Sequence, residues 1–165
     1  MRADPGGSPD PEAELVRYAG LLADGVAVAV GPWVRRSVQL VAESWQEGLG
    51  DSLEPLIETA AAEASRDVGE RVRDLLALDV SDQSSGPLAV LRSGVRYPTE
   101  VLRSAGVPPV VRDEFAERAF PEDLYGLVPA SFADVSPDLH EPGLRWGAAK
   151  AFVILDRRRR RDPGP

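Results

Sequence analysis

The chain has 165 residues, of which 43% are hydrophobic and 28% charged, as is typical of a single globular domain. It contains no cysteine, so disulfides, thiolate metal sites and cysteine nucleophiles are excluded. No segment reaches the roughly 18 uncharged apolar residues of a membrane span, and the N-terminal segment lacks the apolar region of a secretory signal. We therefore expect a cytoplasmic protein.

The formal net charge of -8 is distributed unevenly. The run Arg157 to Arg161 gives the last nine residues a charge of +4, so residues 1–156 carry -12. Such an acidic body repels nucleic acid and anionic membranes, which attract proteins through cation–phosphate contacts. The arginine run fits the end of a helix, where cations meet the negative end of the dipole, followed by a basic disordered tail over residues 157–165.

The first part of the chain predicts a leader and two helices. Residues 1–10 are rich in proline, glycine and aspartate, and predict a disordered leader. Asp10 and Pro11 then open a helix, with an acceptor at the cap and a proline at the first position. Alternating branched residues at 26–30 are also compatible with a strand, although the helical spacing favours a helix. A Gly-Pro pair at residues 31–32 predicts that a second helix starts here.

The clearest helical pattern runs from about residue 52 to residue 78, with apolar residues at intervals of three and four. Small alanines in its middle permit a close approach to a neighbouring helix, and charged residues solvate its other side. Residues 79–86 are polar and turn-rich, and they predict a hinge within a single helical domain that covers residues 11–156.

Proline punctuates the chain after this hinge, and proline bars a helix from continuing. The short segments 87–93, 98–105 and 109–119 precede a last helix that we expect from about residue 142 to residue 158. The sequence thus predicts an all-α helical bundle, in which three longer N-terminal helices pack against a C-terminal half of shorter helices.

No catalytic or metal-binding motif is recognisable. The phosphate-binding loop, the dinucleotide-binding glycine pattern, the nucleophile elbow, the zinc-protease helix and the EF-hand loop are all missing from the sequence. The single histidine, His140, lies near Asp138 and Glu141, but three ligands from one short segment are poorly placed to surround a metal. The sequence favours a non-catalytic protein without a cofactor or metal, in which Ser136 or Asp138 caps a helical turn.

A candidate binding site lies in the C-terminal half. Trp146 and the single lysine, Lys150, are one helical turn apart beside a bare strip of glycine and alanine at residues 147–149. Such a strip indicates close packing against another helix, or admits a ligand or a partner chain. A lysine becomes a nucleophile only where its surroundings lower its pKa. The candidate pocket, between the two halves, is lined by Tyr125, His140, Arg145, Trp146 and Lys150.

Most aromatic residues lie in this half, where we expect them to bury area in a compact, irregular subdomain. The alternative is a surface patch, with Arg112 and Arg118 at its rim, on which a partner docks. The aromatic residues concerned are Phe115, Phe120, Tyr125, Phe132, Trp146 and Phe152.

Short motifs in this half resemble small uncharacterised helical proteins of high-GC actinobacteria. The motifs are YPTE at residues 97–100, VPP at 107–109, RDEF at 112–115, YGL at 125–127, LHEPG at 139–143 and WGAAK at 146–150. The resemblance implies no activity. It agrees with the arginine-rich, lysine-poor composition of the chain.

The sequence leaves three functions open. The favoured one is a non-catalytic adaptor or regulatory subunit that acts through protein–protein contacts, with another protein or a second copy as its partner. The second is a small-molecule-binding or catalytic helical protein with a pocket between the two halves. The third is docking of an anionic partner or nucleic acid through the arginine run, Arg157, Arg158, Arg159, Arg160 and Arg161.

Overall fold

A computed structural model describes residues 7, 9–45, 50, 53–77, 86–110, 112–162 and 164. Within these residues the protein is all-α, as predicted, and contains no strand. Most of the predicted leader and nearly all of the predicted hinge lie outside the described residues. The helices are α1 (Pro11–Ser44), α2 (Glu54–Ala77), α3 (Gly86–Ser93), α4 (Arg96–Ser104), α5 (Glu114–Ala119), α6 (Phe132–Val135) and α7 (His140–Arg161), with a 3₁₀ turn at Pro137–Leu139.

Helix α1 begins where the sequence predicted. The Asp10 carboxylate accepts a hydrogen bond from the Glu12 N–H at 3.1 Å, and Pro11 occupies the first turn, where its missing N–H costs nothing. Residues 26–30 are helical, which confirms the preference for helix over strand.

The predicted break at Gly31 and Pro32 is wrong, because α1 is one helix of 34 residues. Pro32 removes one backbone donor, but it lies on the exposed side of α1 together with Val28, so water can reach the Val28 carbonyl that loses its partner. Val30 and Val34, one turn apart, are fully buried on the other side. Packing therefore holds the helix through the proline, and two long helices stand where three were predicted.

Helix α2 matches the predicted third helix closely and packs tightly along α1. A Cβ placed on Gly69 would lie 3.2 Å from both Cα and Cβ of Ala27, so the two backbones nearly touch there. The Ser65 hydroxyl donates a hydrogen bond to the Ala27 carbonyl at the same contact. The predicted close approach at small residues is thus present. The buried residues of α2 are Ile57, Ala61, Ala64, Val68, Gly69 and Val72.

Helices α3 and α4 contact α2 and share its hydrophobic core with α1, and α4 also contacts α1 directly. Asp67 of α2 accepts hydrogen bonds from the Tyr97 hydroxyl at 2.8 Å and from the Arg96 guanidinium at 2.9 Å. Burial raises the pKa of Tyr97, so this hydroxyl stays protonated and keeps donating. Helix α5 is shorter than predicted, because Asp113 caps it by accepting from the Ala116 N–H at 2.7 Å.

Helix α7 extends beyond its predicted limits at both ends and packs against α1. It continues through Arg161, whereas the sequence placed the start of a disordered tail at residue 157. Arg160 pairs with Asp156 at 2.7 Å, one turn earlier, and Arg157 reaches Glu12 of α1 at 3.4 Å. These contacts and the favourable position of cations at a helix C-terminus hold the run in the helix.

Candidate functional site

The five side chains of the predicted pocket lie in two separate parts of the molecule. Tyr125 is buried in a cluster with Val38, Leu102 and Val107, and its hydroxyl donates to the Val107 carbonyl at 2.8 Å. Burial raises the pKa of Tyr125, which keeps this donor protonated. The other four side chains lie on α7. Tyr125 therefore acts in the core, through packing and a hydrogen bond to the backbone.

His140 and Arg145 lie on the exposed part of the first turns of α7. The His140 backbone N–H donates to the Pro137 carbonyl, and the Ser136 hydroxyl accepts from the Asp138 N–H at 3.3 Å. Ser136 thus caps the 3₁₀ turn, as the sequence suggested. The Arg145 guanidinium pairs with Glu141 at 2.5 Å, and this hydrogen bond is the main reason that its pKa is raised.

Trp146 and Lys150 lie together between α7 and α1. The Lys150 ammonium is 4.8 Å from the centre of the Trp146 ring, a cation–π contact, and only 5% of the residue is exposed. Burial lowers the pKa of Lys150. The neighbouring cluster contains Leu15 and Val153, and Phe132 meets the Trp146 ring edge-on at 6.3 Å. Lys150 is therefore a buried cation that packs against Trp146 of its own helix.

Four clefts of 330 to 490 Å³ are formed by other described residues, and neither Trp146 nor Lys150 lies in the walls of these four. One of them, of 370 Å³, is lined by Arg103, Glu100 and Thr99. The Thr99 hydroxyl is buried and has no hydrogen-bond partner among the described residues. Since cations and carboxylates are mixed in the wall, no single ligand charge is favoured there. Within the described ranges no three acidic or histidine side chains are grouped to hold a metal.

Asp123 organises the loop between α5 and α6, and the sequence analysis missed it. Its buried carboxylate accepts hydrogen bonds from the backbone N–H groups of Tyr125, Leu127 and Val128, at 3.3, 2.8 and 2.9 Å. Arg112 lies 3.7 Å away and balances the charge. The hydrogen-bond donors to Asp123 are backbone groups, which leave no trace in the sequence. The only signal in the sequence is an aspartate two residues before a Tyr-Gly pair, a pattern that favours a turn. It is a structural role.

The outer side of α7 carries a continuous row of exposed apolar residues. Leu144, Phe152 and Leu155 are 58%, 57% and 53% exposed, and Ala148 and Ala151 between them are exposed as well. Residues 144, 148, 151 and 155 follow one another at intervals of four, three and four. This spacing places the row along one side of the helix, opposite the side that faces α1. We call this row the α7 stripe: Leu144, Ala148, Ala151, Phe152 and Leu155.

Charged residues border the α7 stripe unequally at its two ends. Glu141 lies at the N-terminal end, and the exposed Arg158 and Arg159 lie at the C-terminal end. Helix α7 as a whole contains seven cations and two carboxylates, whereas the complete chain has a net charge of -8. The stripe is therefore an apolar surface on a basic helix of an acidic protein.

Other exposed apolar residues form less continuous surfaces. Phe115 is 82% exposed and Phe120 lies at the surface, contrary to the expectation that these aromatics are buried. Phe115 belongs to a helix of only six residues. On α1, Leu21 and Val28 line a cleft of 490 Å³ beside the 3₁₀ turn. The α7 stripe extends over more consecutive helical turns than either surface.

Comparison of the chain with protein-family models, with curated proteins and with solved structures finds no match. Among the described residues, every helix is too short or too polar to cross a membrane.

Proposed function

We propose that this protein is a non-catalytic adaptor or regulatory subunit that acts through protein–protein contacts, and that the α7 stripe is its docking surface. The observation that carries the proposal is the exposure of Leu144, Phe152 and Leu155 along one side of a helix. Soluble monomers rarely leave a continuous apolar patch in water, and such patches mark interaction sites. An apolar helix face recognised at intervals of three and four residues is a common mode of protein recognition.

The burial of Lys150 supports a binding protein over an enzyme that uses this residue. A catalytic lysine must reach its substrate, but Lys150 is 5% exposed and its ammonium lies against the Trp146 ring. The separation of Tyr125 from the α7 residues removes one wall of the predicted pocket. The arginine run is assigned a secondary role next to the stripe. Two of its members, Arg157 and Arg160, already form ion pairs with acidic residues of the same chain, so the run as a whole is less suited to be the main docking site.

The proposal is tested by capture from native cytosol with the full-length protein and two matched variants. Leu155→Glu places a charge in the α7 stripe, and Leu40→Glu makes the same change at an exposed position of α1. We expect partners that bind the native protein and the Leu40→Glu variant to be lost with Leu155→Glu. Identical sets of bound proteins for all three chains would contradict the proposal.

A further inference from the structure

We infer that the α7 stripe is covered by the α7 stripe of a second copy of this chain, with the two helices antiparallel. The inference rests on the proposed function and names the partner of the same surface.

The apolar residues of the stripe are arranged symmetrically about the middle of α7. A two-fold axis level with the midpoint between residues 149 and 150 sets Leu144 opposite Leu155 of the partner subunit. The same axis sets Ala148 opposite Ala151 of the partner subunit. Large residues thus meet at the ends of the contact and small residues meet at its centre, where the helices approach most closely.

Phe152 has room in this arrangement. It comes level with Gly147 of the partner subunit, but the two-fold axis keeps each residue on its own flank of the contact, so the ring lies beside Ala148 of the partner subunit. The small side chain of that alanine leaves space for an aromatic ring. In the bare strip at residues 147–149, Ala149 packs inward toward α1 and Ala148 faces the second copy.

The end charges favour the antiparallel arrangement, because the C-terminal end of the stripe is basic, whereas Glu141 and Arg145 pair with each other at its N-terminal end. The axis that matches the apolar residues also brings Glu141 level with Arg158 and beside Arg159 of the partner subunit. A parallel pair would instead place two arginine runs side by side, and like charges repel. The symmetric contact makes the Glu141 pairing twice, once at each end.

The test is a concentration series of the full-length protein by sedimentation velocity. A contact made by one helix from each copy lies at the lower end of specific interfaces, so we expect a dissociation constant on the order of 10 μM. Leu155→Glu should weaken the dimer at least about tenfold, because each substitution places a carboxylate against Leu144 of the partner subunit. Leu40→Glu should leave it unchanged, and circular dichroism shows whether both variants keep their helix content.

A charge exchange tests the antiparallel arrangement separately. Glu141→Arg in one chain, and Arg158→Glu with Arg159→Glu in another, should each weaken self-association, because like charges then meet at both ends. A mixture of the two chains should associate again, since opposite charges face each other at both ends. A mixture that associates no better than either variant alone overturns the arrangement.

The remaining outcomes separate this inference from the proposed function. A chain that stays monomeric up to concentrations on the order of 1 mM overturns the inference. A dimer that Leu155→Glu does not weaken overturns it as well. If the chain is monomeric and Leu155→Glu still abolishes capture of a different protein, the second copy is rejected and the docking role of the stripe stands.

Discussion

Helices α2 and α7 have similar lengths, 24 and 22 residues, and both pack against α1, but their outer sides differ. The outer side of α2 carries charged residues, including Glu63, Arg66 and Glu70, which are exposed to solvent. The outer side of α7 carries the α7 stripe instead. Charged residues cover the outer side of α2, whereas the outer side of α7 leaves apolar residues exposed among the described residues.

The inner sides of the two helices also differ, because α2 buries more residues than α7 does. Six residues of α2 are buried, and Gly69 brings its backbone against α1. Only Ala149, Lys150 and Val153 are buried on α7, and one of these is a cation. The comparison indicates that α2 contributes more to the fold than α7 does, and the exposed outer side of α7 is the surface to which the proposed binding role is assigned.

The largest effect on stability is expected at the inner side of α2. Ile57→Ala removes a side chain that is 7% exposed and leaves a cavity beside Val38 and Leu102. We expect the free energy of unfolding to fall by about 2–5 kcal/mol, measured by urea denaturation. Leu56→Ala is the matched control, because Leu56 is the preceding residue and largely exposed. Equal losses for the two variants would contradict the assigned inner side of α2.

A second substitution tests the close approach of α1 and α2. Gly69→Val introduces a branched side chain where even a Cβ would lie 3.2 Å from Ala27. Overpacking of this kind costs about 1–3 kcal/mol, which urea denaturation would register. Gly147→Val provides the contrast, because a Cβ at that position meets nothing in the single chain. A Gly69→Val protein as stable as the native one would show that the two helices can separate freely.

The third prediction concerns the cation on the inner side of α7. Burial lowers the folded-state pKa of Lys150 below its ordinary value of 10.5, so the unfolded chain binds more protons between those two pKa values. The Lys150 contribution to stability should therefore rise as the pH increases toward 10.5. Lys150→Met should lack this rise and be the more stable protein at lower pH.

This prediction is checked by the difference in unfolding free energy between native protein and Lys150→Met across the alkaline range. Burial raises the pKa of Tyr97 and Tyr125, so their titration lowers stability at high pH in both proteins and cancels in the difference. A difference that does not change with pH would contradict a buried charge at this position.

The smallest effect on stability is expected on the α7 stripe itself. Leu155→Glu changes a residue that is 53% exposed, so the unfolding free energy of the monomer should change by no more than about 0.5 kcal/mol. Self-association should nevertheless be weakened. The measurement is urea denaturation at protein concentrations below the dissociation constant. A loss comparable to that of Ile57→Ala would mean that Leu155 belongs to the fold.

Helical spacing was enough to predict the all-α class, the position of α2 and the helix over residues 26–30. It did not predict that α1 passes through Pro32, because that depends on which side of the helix the proline lies and on what the opposite side packs against. The structure places Tyr125 in a different core cluster from the α7 residues with which the sequence grouped it, because spacing along the chain does not reveal which cluster a loop residue joins.

The α7 stripe was only partly visible in the sequence. The bare strip beside Trp146 indicated close helix packing, and α7 does pack against α1 there. Phe152 was interpreted as a core aromatic because α7 carries apolar residues on both sides, and periodicity alone does not reveal which side faces the rest of the chain. In the structure Ala149 and Val153, with Trp146 beside them, pack against Leu15 of α1. This contact identifies the inner side of α7.

The most direct test of the central claim is a distance measurement between the ends of α7 in the two copies. The chain has no cysteine, so Arg161→Cys carries a single spin label, read by pulsed electron resonance in the full-length protein. With a rise of 1.5 Å per residue, the antiparallel pair predicts labels about 35 Å apart along the helix axis. Labels close together, as in a parallel pair, or no measurable distance at concentrations where the dimer should form, would contradict the claim.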